Sequence, residues 1–261
     1  VSNNAIDNFL VAVFRLPAGN GKTFSVTDSI GNSWFKQVDF GFVGGDQYQL
    51  WYAPGCKAGG NTVTIQQVGG AATFFRTIIA EYSGVVTQSQ LVTDGGTGQT
   101  AVTSGTAVNS GPLTTANATD LLIGFTANET ADNVTFTPTS GFTVRRSQDG
   151  NLQLADLNTV ATGPFSFTGT DGSSVNWGAG IAAFKASSTG FAYSGYGIND
   201  CGGVALPAQE PSSTTFAAQT NSTNQLTSSG GRGPTNTGVF YQSGGGGTTP
   251  GTGQIFPSGR S

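Results

Sequence analysis

Between Asn8 and about Lys185 the chain runs in short apolar or alternating segments separated by clusters of Gly, Pro, Asn, Asp and Ser. Side chains that alternate with a period of two, bounded by turn residues, predict β-strands. The longest nearly unbroken β-branched and aromatic run is Ala72 to Gly84, ATFFRTIIAEYSG. In an extended conformation Phe75, Thr77 and Ile79 face one way and Phe74, Arg76, Ile78, Ala80 and Tyr82 the other. Apolar groups on both faces predict an interior strand. NFLVAVFR (Asn8 to Arg15), TFSVTD (Thr23 to Asp28), WFKQVDFGF (Trp34 to Phe42), QYQLWYA (Gln47 to Ala53) and NTVTIQQV (Asn61 to Val68) read as strands before it.

After it comes a long polar Gly/Thr/Ser connection. TDLLIGFTA (Thr119 to Ala127), VTFT (Val134 to Thr137), FTVRRS (Phe142 to Ser147), NLQLADL (Asn151 to Leu157), FSFTG (Phe165 to Gly169) and SVNWGAGIAAFK (Ser174 to Lys185) follow. About a dozen strands suffice for two packed antiparallel sheets, a β-sandwich of the jelly-roll or Ig-like kind. Asp149-Gly150 predicts a type I′ hairpin turn, and Asp171-Gly172 reads the same way. Gly124, Gly178 and Gly180 inside apolar strands predict bulges or close backbone approach. Long helices are not expected, because helix formers are sparse and Gly or Thr interrupts every window of helical periodicity.

The series NFLVAVF, FSVTDSIGNSW, YQLWYAPG, TVTI, IIAEYSGV, TDLLIGF, GFTVRRS and a Trp-Gly strand closing on AAFK resembles a recurring, uncharacterised β-sandwich domain of secreted bacterial proteins. The resemblance covers about residues 5 to 186, and its best motifs, EYSG and AAFK, mark fold positions rather than chemistry. Domains of that kind usually carry a further β segment before the NFLVAV-type strand. Only seven residues precede Asn8 here, so the resemblance implies that this first strand is missing.

Composition changes after Ala186. Residues 187–261 hold few charges (Asp200, Glu210, Arg232, Arg260) and several Gly-rich tracts, which divides the chain into a β-sandwich domain, 1–186, and an extended low-complexity C-terminal arm, 187–261. Such an arm buries too little apolar surface to offset roughly 1 to 2 kcal/mol of ordering entropy per residue. It becomes ordered on another surface, and a neighbouring subunit is the natural one. TTFAAQT (Thr214 to Thr220), TGVFYQS (Thr237 to Ser243) and QIFPS (Gln254 to Ser258) are the size of an added strand or an anchor, and Phe216, Val239, Phe240, Tyr241, Ile255 and Phe256 are the candidate anchor residues. The first two are the candidates to pair along the edge a missing first strand leaves open.

Charge and residue inventory then narrow the function classes. A net charge of −4 with scattered Lys and Arg excludes a nucleic-acid stripe. No apolar run reaches the ~18 residues of a membrane span, so membrane insertion is not expected. With no Met, Val1 is no initiator; a processed or trimmed chain is expected, and low charge with abundant Gly, Ser, Thr and Asn points to an extracellular or cell-surface location. Histidine is absent, which removes Ser-His-Asp and Cys-His nucleophilic sites and His-ligated zinc. Glu81 is the one tempting acid, and a structural hydrogen bond or a pairing with Arg76 or Lys36 is the expected role. No catalytic residue, metal ligand or cofactor is assigned. Asp/Asn/Gly loops such as Asp28 to Asn32 read as ordinary turns rather than calcium sites. Cys56 and Cys201, the two cysteines, either bridge in an oxidising compartment or remain separate thiols.

These readings favour a non-enzymatic extracellular structural protein, a homo-oligomeric or homopolymeric subunit of a surface filament, sheath or lattice held by arm exchange or strand donation. One alternative is a carbohydrate-binding or adhesive module for surface glycans, stacking sugars on Trp34, Trp51 or Trp177. Another is a viral capsid decoration or tail protein.

Overall fold

The computed structural model describes residues 2–16, 23–41, 45–68, 75–88, 92–100, 104–129, 134–139, 141–159, 161–187, 192–200, 213–220, 226–231 and 237–239. Among them there is no helix, and the chain is all-β. In order the strands are β1 (Ser2–Asn4), β2 (Phe9–Leu16), β3 (Thr23–Asp28), β4 (Phe35–Gly41), β5 (Gln47–Ala53), β6 (Gly59–Val68) and β7 (Arg76–Ser83). Next come β8 (Thr93–Thr100), β9 (Gly105–Asn109), β10 (Leu113–Thr115), β11 (Asp120–Asn128), β12 (Phe136–Pro138), β13 (Thr143–Gln148) and β14 (Leu152–Asn158). β15 (Gly163–Phe165), β16 (Thr168–Val175) and β17 (Trp177–Lys185) precede the arm strands β18 (Ala192–Asp200), β19 (Ser213–Thr220), β20 (Leu226–Gly231) and β21 (Thr237–Val239).

Among the described residues all pairings are antiparallel, and no sheet closes into a barrel. A first sheet runs β18-β7-β2-β5-β4 and a second β13-β14-β11-β17-β8. A third runs β1-β6-β19-β20-β21 with β3 also on β6, and two small sheets, β12-β16-β9 and β10-β15, complete the described set. The largest apolar cluster lies between the first and second sheets: Val11, Val13, Tyr48, Leu50, Ile78 and Tyr82 meet Ile123, Phe125, Leu154 and Phe184. The opposite faces are covered as well. Phe14 and Ile79 of the first sheet pack on Phe24, Val26 and Ile65 of the third, while Leu122, Ala155 and Ile181 of the second pack on Phe136 and Phe167. Burial on both faces is why β2 and β11 read as continuous apolar runs rather than alternating ones.

Turn chemistry at one hairpin matches its sequence. Asp149 and Gly150 have φ of 50° and 64°, and Asn151 N–H donates to Gln148 O at 2.8 Å, the type I′ geometry that joins β13 to β14. Asp171-Gly172 does not repeat it. Both residues lie inside β16, where the register against β9 shifts between Thr170 and Val175, so the dipeptide makes an irregular stretch of strand instead of a turn. The polar connection after β7 is also not a loop. It holds β8, β9 and β10, and β8 (TDGGTGQT) is glycine-rich because neighbouring side chains occupy the space of its side chains: a Cβ on Gly98 would lie 2.2 Å from Phe40 Cδ1.

Candidate functional site

Two sheet edges carry the feature on which the functional reading turns. β7 pairs along one edge with β2, from Phe9 opposite Tyr82 to Arg15 opposite Arg76. Along its other edge it pairs with arm strand β18, from Ala192 opposite Ser83 to Asp200 opposite Arg76. β7 is therefore interior, as its two apolar faces imply, but one of its two neighbours comes from the arm.

The second edge belongs to β6. Val63 to Gln66 pair with β3 on one side, and on the other with β19, from Ser213 opposite Gln66 to Ala217 opposite Thr62. The three-residue β1 pairs with Gly59 to Asn61, so β19 takes up along β6 where β1 stops. The segment TTFAAQT, picked out in the sequence for a strand-sized apolar patch, is this β19, and it pairs within its own chain. β20 pairs on β19 and β21 on β20.

Of the six candidate anchors, Phe216 stands opposite Val63 in β19 and Val239 opposite Ser229 in β21. Phe240, Tyr241, Ile255 and Phe256 lie outside the described residues.

The root of the arm is tied down by backbone bonds. Lys185 N–H donates to Val92 O at 2.7 Å, Ala186 N–H to Thr119 O at 3.2 Å and Ser187 N–H to Gly84 O at 2.8 Å, while Val86 N–H donates to Lys185 O at 3.0 Å.

Glu81 has a structural place at the end of β7. Its buried carboxylate accepts Asn4 Nδ2 at 2.8 Å, Asn8 Nδ2 at 2.7 Å and the Ala5 amide at 3.1 Å, which pins the turn between β1 and β2 to the first sheet. The expected hydrogen bonding is present, with these donors in place of Arg76 or Lys36. Cys56 is a free, buried thiol whose Sγ donates to Ala5 O at 3.3 Å; burial foremost, with the Glu81 charge, pushes its pKa up to about 12. A thiol held that firmly protonated is a poor nucleophile. Cys201 lies outside the described residues, and β18 ends at Asp200 opposite Arg76, the far end of β7 from Glu81.

The tryptophans do not converge. Trp177 is buried against the cluster between the second sheet and the small sheets, whereas Trp34 and Trp51 are half-buried against the cluster between the first and third. Trp34 Nε1 donates to Asp28 Oδ2 at 2.9 Å and Trp51 Nε1 to Gln49 Oε1 at 2.8 Å. The Asp28 loop is saturated too, accepting from Asn32 N, Asn32 Nδ2, Trp34 Nε1 and Asn61 Nδ2, the pattern of a turn-fixing aspartate. Among the described residues no group of three or more Cys, Asp or Glu converges as a metal site.

Sequence reasoning missed a pair of carboxyls, Asp94 on β8 and Asp120 on β11, that meet beside the root of the arm. Nothing in the sequence pairs them, since β8 offered no strand pattern.

Comparison of the chain with protein families, curated proteins and solved structures finds no match.

Proposed function

We propose that this protein is a non-enzymatic extracellular structural subunit that assembles with copies of itself into a surface filament, sheath or lattice by exchanging its C-terminal arm. The domain would be a two-sheet sandwich of jelly-roll or Ig-like type built on the first and second sheets, within the secreted bacterial β-sandwich group that the sequence resembles. One observation carries the reading: β18 and β19 complete the edges of β7 and β6 and are joined to the domain through a single chain connection after Ser187.

Those edges are what strand donation requires. Without the arm, β7 presents a row of unpaired N–H and C=O groups over eight residues, in a strand whose Ile78, Ile79, Ala80 and Tyr82 are core. Edges of this kind are templates for another strand. Because the pairing is made by backbone groups, an identical arm from a second copy satisfies the same registers, which is the logic of domain swapping. A swap that returns to its donor gives a closed dimer, and one passed to the next copy gives an open polymer.

Truncation after Ser187 tests the proposal. Electron micrographs and light scattering of the full chain are expected to show assemblies that the truncated chain does not form, while the truncated chain folds with reduced stability. A truncated chain that still polymerises would refute arm exchange.

A further inference from the structure

We propose that Asp94 and Asp120 form a pH-sensitive latch at the root of the arm, closed when one proton is held between the two carboxyls and loosened when both are ionised. Its assembly consequence rests on the arm-exchange reading; the latch itself rests on the geometry around Lys185.

Asp120 begins β11 opposite Lys185, the last residue of β17, and is 0% exposed. Neither of its carboxyl oxygens meets an N–H or O–H donor; the group beside it is the Asp94 carboxyl. Asp94 is differently placed. Its Oδ2 accepts the amides of Ala116 at 2.6 Å and Asn117 at 3.0 Å. Burial opposes its charge, but those amide bonds outweigh burial and leave its pKa lowered. The proton therefore resides on Asp120, which donates to Asp94. Burial first, and then the neighbouring Asp94, raise the Asp120 pKa from 3.8 to about 7, with Lys185 on β17 acting against them. Asp94 on β8 and Lys185 are the charged groups acting on Asp120; the end of β14 contributes the neutral Thr159, whose Oγ1 accepts the Asp120 amide at 2.9 Å.

What makes the pair a latch is its position. Val92, whose carbonyl holds the Lys185 amide, is two residues from Asp94, and Thr119, whose carbonyl holds the Ala186 amide, is the residue before Asp120. Two ionised carboxylates in this dry site repel each other and drive the starts of β8 and β11 apart. The two carbonyls that anchor the arm's root move with them.

The sign follows from linkage. A carboxyl whose pKa is raised in the closed form binds its proton more tightly there, so closure is fully favoured below the ordinary carboxyl pKa near 4 and loses that advantage as pH rises to about 7, beyond which the loss is complete.

Hydrogen exchange on the full chain between pH 5 and 8, corrected for intrinsic exchange rates, tests this at the Lys185 and Ala186 amides, together with the assembled fraction by light scattering. Protection at both amides is expected to fall by up to about tenfold per pH unit toward pH 7 and then level off. Asp120→Asn, which keeps a donor toward Asp94, is expected to give a flat profile, and Asp94→Asn a shallower one than wild type. Wild-type protection that does not change with pH, or an Asp120→Asn profile as steep as wild type, would overturn the latch. Protection that follows pH while the assembled fraction does not would retain the latch and count against arm exchange.

Discussion

Buried carboxylates decide two questions at the scale of single residues. Glu81 has the burial of a catalytic acid, but both of its oxygens accept from fixed donors, Asn4 at the end of β1 and Ala5 and Asn8 in the turn after it, so it holds structure together. Asp171 is the opposite case. It is buried in β16 with Oδ2 unpartnered, and burial raises its pKa from 3.8 to about 6. The folded state thus holds this proton more tightly than the unfolded chain, and stability present below about pH 4 is lost as pH climbs to about 6. Asp171→Asn is expected to remove a decline of up to roughly 3 kcal/mol between those limits, as measured by urea denaturation at pH 4 and pH 7. An unchanged decline would show that Asp171 is solvated.

At the scale of elements, glycines set where the two central sheets meet. Gly178 in β17 lies under the buried ring of Tyr48 from β5, and a Cβ there would sit 2.4 Å from Tyr48 Cε2. Tyr48 has no exposed surface into which to retreat. Gly178→Ala is therefore expected to lower stability by about 1 to 3 kcal/mol, seen as a drop in melting temperature; no change would mean that the ring has room to shift. The same packing explains which strands were legible in the sequence. β3 and β5 announce themselves by alternation and begin and end where their side-chain pattern does. β8 does not, because Phe40 and Val38 of β4 supply the apolar groups that its own glycines lack. Asp171-Gly172 misleads for a related reason: the dipeptide reports local backbone preference, while the Gly172 amide bonds to Thr135 O at 2.8 Å and holds it in the sheet.

At the scale of the whole molecule, the composition of residues 187–261 implied a need for another surface to pair on but not whose. Its β18 and β19 pair within the same chain, with β7 and β6. A short apolar patch marked the β19 segment as the size of a strand or an anchor; nothing marked β18, AYSGYGIND, which pairs with β7. The candidate site was legible, then, as one strand-sized segment, β19. The two edges and the Asp94–Asp120 pair were not, because each depends on contacts between segments far apart in sequence.

The central claim is that the arm pairs between copies, and cross-linking across one register tests it most directly. Thr64 of β6 stands opposite Thr215 of β19, at a strand spacing within disulfide reach. One full-length chain carries Thr64→Cys and a second carries Thr215→Cys, both with Cys56→Ala and Cys201→Ala. The two are mixed, allowed to assemble and oxidised. Arm exchange predicts a disulfide-linked pair of the two different chains, absent when either is oxidised alone. A mixture that stays uncross-linked, while one chain bearing both cysteines closes its bridge internally, would contradict it.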